Sequence, residues 1–121
     1  MGSPRRVAAW QAAYYVATGL WPLVHRGSFE RVTGSKADFW LAQTVGIVVA
    51  AVGLGLAHAA SGGSGVPAEL RTVAVASAAG LGLVDVVFVA RGRIAPVYLL
   101  DAAGEAALLA AWAASDRQER P

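Results

Sequence analysis

From Phe39 to Ala60 the chain carries no formal charge, and Gln43, Thr44 and His58 are the polar side chains it offers. A helix of a water-soluble bundle needs a polar stripe along its length, and this stretch has none. A bilayer core about 30 Å thick is crossed by roughly 20 apolar helical residues, which this stretch supplies. Three further runs obey the same rule, bounded by charge or by Gly/Pro/Ser clusters. They are 7–24, between Arg5-Arg6 and His25-Arg26; 70–90, interrupted by Asp85; and 95–114, which carries Asp101 and Glu105. The expected fold is an all-α integral membrane protein with four transmembrane helices (7–24, 39–60, 70–90, 95–114) in an up-down antiparallel bundle. One membrane domain then covers 1–121, with a polar loop at 25–38, a Gly/Ser linker at 61–66 and a polar tail at 115–121.

Composition agrees. Charged residues are 15% of the chain and apolar ones 56%, against about 25% charged in soluble domains. That scarcity excludes a disordered tail and a coiled coil, and the absence of cysteine excludes a disulfide scaffold or thiolate metal site. The sequence pI is near 9.5, yet the net charge is +2 and the Arg residues sit in small groups between apolar runs. They flank membrane spans, so no nucleic-acid partner is expected and the lipid bilayer is. An export signal at Arg5-Arg6 is a weaker reading, because no small-x-small cleavage site follows.

Local signals favour helices over strands: no segment alternates with period two, and Ala dominates the second half. Ser35 with Asp38 forms a capping-box pattern, and Pro67 and Pro96 suit first helical turns. Lys and Arg divide five to five between the faces: Arg5, Arg6, Arg71, Arg117 and Arg120 against Arg26, Arg31, Lys36, Arg91 and Arg93. The positive-inside rule therefore casts no vote, leaving a fixed orientation with cytoplasmic termini or dual topology. Trp10 and Trp112 are expected in the aromatic belt of one face, Trp21 and Trp40 in that of the other. Small residues at four-residue spacing, Gly46/Ala50, Gly53/Ala57, Ala74/Ala78/Gly82 and Ala103/Ala107/Ala111, permit close helix contact. A homo-oligomer or docking on partner membrane subunits is expected, and the Ala/Gly/Arg-rich composition suggests a prokaryotic cytoplasmic membrane.

Ionisable groups at membrane depth are costly and point to function. Three occur: Asp85, Asp101 and Glu105. Asp101 and Glu105 share one helical face with Tyr98. Asp85 and Asp101 lie roughly 9–12 Å inside the same rim at about 1.5 Å per residue, on helices joined by a short turn. They are expected to meet, and two close carboxylates in low dielectric require a proton or a cation between them. His25, Arg26, Arg91 and Arg93 at that rim are the candidate cations, either as part of a site or as plain ion-pair clamps. Gln11, Tyr15 and Thr18 form a polar line on the first helix, suited to ligand binding or to helix-to-helix glue. Phe29 and Val32 suit a short interfacial turn in the 25–38 loop.

No local motif supplies a catalytic triad, a phosphate cradle or a metal set, so catalytic and metal residues are assigned to none and the cofactor is unknown. Two functions remain: a transporter-like or small-ligand-binding protein whose Asp85, Asp101 and Glu105, lined by Tyr98, Gln11 and Tyr15, bind a proton or cation, and a non-catalytic subunit or scaffold. An enzyme acting on a membrane lipid is a third, weaker reading.

Overall fold

The computed structural model describes residues 3–119, with side chains to Asp116; among these there is no strand. Five helices follow in order: α1 (Pro4–Val24), α2 (Arg26–Thr33), α3 (Phe39–Ser61), α4 (Ala68–Ala90) and α5 (Tyr98–Glu119). The all-α expectation holds. The four-span expectation is met in part: α3 and α4 are long and apolar enough to cross a membrane. Polar cargo sets α1 and α5 apart. Arg5, Arg6, Gln11, Tyr14 and Tyr15 lie on α1, and Asp101, Glu105 and Asp116 on α5.

Each boundary has a local cause. The Ser3 side chain accepts a hydrogen bond from the Arg6 amide, and Pro4 occupies the first turn, where its missing N–H costs nothing. The 25–38 loop contains a two-turn helix rather than a single turn. The His25 ring Nδ1 caps it by accepting from the Ser28 amide, and Gly34, at φ +96°, ends it in the left-handed region that glycine tolerates. The Ser35–Asp38 capping box does not form. Asp38 is the N-cap of α3 without a side-chain bond, and the Lys36 amide, between Ser35 and Asp38, donates to Glu30 Oε2. Pro96 lies in the turn before α5 rather than in its first helical turn. The expected tail is absorbed into α5 as far as Glu119, held by Ser115 Oγ donating to the Trp112 carbonyl and by an Arg71–Asp116 ion pair. The side chains of Arg117 and Arg120, counted in the charge balance, lie outside the described residues.

Helix α1 packs along α3 and α4 along α5, and the two hairpins meet through α1 with α5 and α3 with α4. The α1–α3 contact is backbone against backbone: a methyl group on Gly19 would lie 2.6 Å from the Gly46 carbonyl and 2.8 Å from the Ala50 amide. Gly46, Ala50 and Gly53 are buried in this contact, so that stripe joins helices within one chain. Ala74 and Ala78 are likewise buried, whereas Ala57, Ala103 and Ala107 are exposed and make no such stripe.

Several polar side chains lie in the interior beside apolar ones, and many large aliphatic side chains face outwards. Gln11, Asp85, Glu105 and Ser115 are buried, while Trp40, Ile47, Val48, Leu54, Leu83 and Leu100 are exposed. Trp112 is buried and belongs to the interior rather than to an interfacial belt; Trp10 and Trp40 do face outwards. At the end near the termini, Val7, Ala12, Leu56, Ala74 and Trp112 form a closed apolar plug. Towards α2 the hairpins part.

Candidate functional site

Where the hairpins part, a cleft of about 610 Å³ opens between α1, α3, α4 and α5 beneath α2. Its walls are apolar, including Val45, Val49, Leu81 and Ile94, and its lining includes Asp85, Asp101, Glu105 and Tyr14.

The acids are arranged by helical periodicity. Asp101 and Glu105, one turn apart on α5, present two carboxyls to α1, where Tyr14 and Tyr15, about 100° apart around the axis, straddle the line of contact. Each tyrosine takes one acid. Tyr14 donates to Asp101 Oδ1, and Tyr15 donates to Glu105 Oε1 at 2.7 Å. Asp85 from α4 lines the same cleft as Asp101 and Glu105. The expected meeting of Asp85 with Asp101 is met to that extent, as two carboxyls on neighbouring helices at one cleft. Asp85 is 5% exposed, and its Oδ2 has no hydrogen-bond partner among the described residues.

Below the acids the polar line ends in a lock. Gln11 is fully buried; its Nε2 donates to the Ala74 carbonyl at 3.0 Å and its Oε1 accepts from Trp112 Nε1 at 2.7 Å. With both ends of its amide engaged, Gln11 joins α1, α4 and α5 as glue and does not line the cleft. Thr18 lines the cleft, but its hydroxyl is turned to the Tyr14 carbonyl of its own helix. The cluster is thus open towards α2 and sealed towards the termini.

The rim cations are engaged elsewhere. Arg26 pairs with Glu30 and lies over the Phe39 ring at 4.3 Å; Arg91 lies over Phe88; His25 caps α2. Arg93 is exposed. Among the described residues none of the four forms an ion pair with Asp85 or Asp101, so the expected clamps are not made. Two basic residues, Arg91 and Arg93, follow α4 into a turn that carries them out of the cleft.

The roof is more ordered than a solvated loop. Trp21 donates to Ser28, and Phe29 meets Trp21 and Phe39 edge to face. Glu30 gathers the segment: the Lys36 backbone N–H and the Arg26 side chain hold its carboxyl below the ordinary glutamate value of 4.5. A lowered value stabilises the closed loop fully above pH 4.5, and that contribution is lost as pH falls through it.

Sequence reasoning passed over two residues. Tyr14 holds the Asp101 carboxyl, and its signal was the tyrosine pair facing acids one turn apart. Lys36 stands at the cleft mouth, its Nζ donating to the Thr33 and Gly34 carbonyls and the Thr33 hydroxyl. Tyr98 lines the same mouth, 5.4 Å from that ammonium, one turn above Asp101. Neither a protein-family model nor a curated protein nor a solved structure matches this chain, and its function is argued from its own residues.

Proposed function

We propose that α1, α3, α4 and α5 each cross the membrane as one four-helix domain, and that the Asp85, Asp101 and Glu105 cluster is a proton- or cation-binding site of a small transporter-like protein. The apolar exterior supports the first part: large aliphatic side chains coat the bundle and two acids, Asp85 and Glu105, are buried within it, which suits lipid as the surrounding solvent. Length supports it too, since 21 to 23 helical residues reach about 30 Å. Part of the lower hydropathy of α1 and α5 comes from the buried Gln11, Glu105 and Ser115, and part from Arg5 and Arg6 at the exposed start of α1.

The observation that carries the second part is the buried, unpartnered Oδ2 of Asp85, beside two more carboxyls, at a cleft open to one face. Three carboxyls in one enclosure cannot all be charged without a proton or cation among them. An ion-pair role has no partner to act on, since the rim arginines point elsewhere. A pure scaffold is less supported, because the Gly46/Gly53 stripe is spent on α1 within the chain. The solid plug around Gln11 and Trp112 makes this arrangement accessible from one side; exchange across the membrane requires the hairpins to part at that end.

In proteoliposomes holding a pH-sensitive dye, wild-type protein should dissipate a proton gradient, and Asp101→Asn and Glu105→Gln should each slow this at least about tenfold, the scale of a 1.4 kcal/mol change. Helicity by circular dichroism should be unchanged. Wild-type flux in both variants would sink the proposal.

A further inference from the structure

We infer that the cleft takes an amphipathic organic cation, a single ammonium on an apolar or aromatic body, whose charge displaces the proton of the Asp85–Asp101–Glu105 cluster. The inference rests on the proton-binding reading above and adds the class of ligand.

Four observations converge. The Oδ2 of Asp85 is an acceptor buried at the cleft without a partner, so a positive group arriving there gains a charge-assisted contact that the protein itself does not supply. An anion is excluded by the three acids. An inorganic cation fits poorly: stripped of water it needs several converging oxygens, and among the described residues no group of three acidic or histidine side chains is disposed to hold a metal. The remaining walls, Val45, Val49, Leu81 and Ile94 among them, offer apolar surface in a volume of about 610 Å³, within the range of roughly 300–1,000 Å³ of small-molecule sites.

The mouth supplies the fourth observation, because it already holds an ammonium. Lys36 Nζ sits 5.4 Å from the ring centres of both Phe29 and Tyr98, with the Gly34 carbonyl at 3.0 Å. Aromatic faces and a carbonyl are the groups that receive a cation leaving water. A ligand ammonium passing Tyr98 descends one helical turn to Asp101 and then to Asp85. On arrival the carboxyl O–H bond breaks, the proton leaves to water at the mouth, and the carboxylate so formed pairs with the ligand. The enclosure keeps the same net charge throughout.

The test is calorimetric titration of detergent-solubilised protein with 4-phenylbutylammonium, 4-phenylbutanol and 4-phenylbutyrate, which share a body and differ in charge. The cation should bind at least tenfold more tightly than the other two, release a proton as judged from buffers of different ionisation enthalpy, and tighten as pH rises. Asp85→Asn should weaken the cation at least tenfold and leave the alcohol unaffected. Lys36→Met, which removes a competing charge at the mouth without touching the cluster, should tighten the cation several-fold. Equal binding of the three compounds, or unchanged cation binding in both variants, would overturn the inference. An Asp85-dependent carboxyl titration without ligand separates the two levels: if it persists while the cation does not bind, the ligand class is wrong and the proton site stands. If it too is missing, both fall.

Discussion

Replacing Gly46 with leucine (Gly46→Leu) is expected to cost about 3 kcal/mol or more and to separate α1 from α3, the upper end of what overpacking a close contact costs. A Cβ at position 46 collides with the Gly19 carbonyl and comes within 3.1 Å of the Pro22 ring. Both obstacles are rigid: one is backbone, the other a proline fixed in the helix it belongs to. No rotamer change relieves the clash, so the two helix axes must move apart along the contact that also buries Ala50 and Gly53. Gly46→Ala should act in the same direction. Gly80 is the matched control, since a Cβ there meets nothing within 4 Å; Gly80→Ala should be neutral or gain about 0.5–1 kcal/mol from helix propensity. Unfolding in mixed detergent, followed by far-ultraviolet circular dichroism, measures both. Equal stability of the Gly46 and Gly80 variants would contradict the backbone contact.

Asp85→Asn should do two things that rarely go together: abolish proton exchange and stabilise the fold. A buried acceptor without a partner carries a desolvation cost of about 1–3 kcal/mol, and no rim arginine offsets it here. Asparagine removes the charge and brings an N–H₂ that can donate to Asp101, so the cost falls. Glu105→Leu provides the contrast, because it leaves the buried Tyr15 hydroxyl without its acceptor and should lower stability by a similar amount. A structural clamp predicts destabilisation at Asp85. A site kept for binding predicts the reverse, as functional residues often trade stability for activity. The melting temperature of each variant, read beside its flux, decides.

Much of the fold was legible because its signals are local or one-dimensional. Apolar run length located α3 and α4 nearly to the residue, and the four-residue spacing of Asp101 and Glu105 placed both on one face. The depth argument that brought Asp85 to Asp101 also held, because a short turn between antiparallel helices fixes their relative height. What escaped depends on three dimensions. The helix α2 has too few residues for a hydropathy signal and is held by a histidine cap and by Glu30, which reaches six residues ahead to the Lys36 amide. The rim arginines were assigned to Asp85 and Asp101 by proximity in depth, yet direction decided otherwise: cation–aromatic and surface contacts draw Arg26 and Arg91 away. Trp112 looked interfacial by position, but its N–H finds the Gln11 carbonyl inside the bundle, a pairing that separation of 101 residues in sequence hides. Tyr14 and Tyr15 are adjacent, and only the packing of α5 against α1 shows that both face acids.

The central claim is that the Asp85, Asp101 and Glu105 carboxyls take up and release a proton inside the bundle. Infrared difference spectra of the protein in lipid, recorded between acidic and alkaline pH, test it most directly, because the C=O stretch of a protonated buried carboxyl stands apart from those of solvated acids. The account predicts such a band in the wild type, its loss or displacement in Asp85→Asn, and its absence when Asp101→Asn and Glu105→Gln are added. A band identical in all three proteins would assign the titration to surface acids such as Glu30 and Glu69 and would contradict the account.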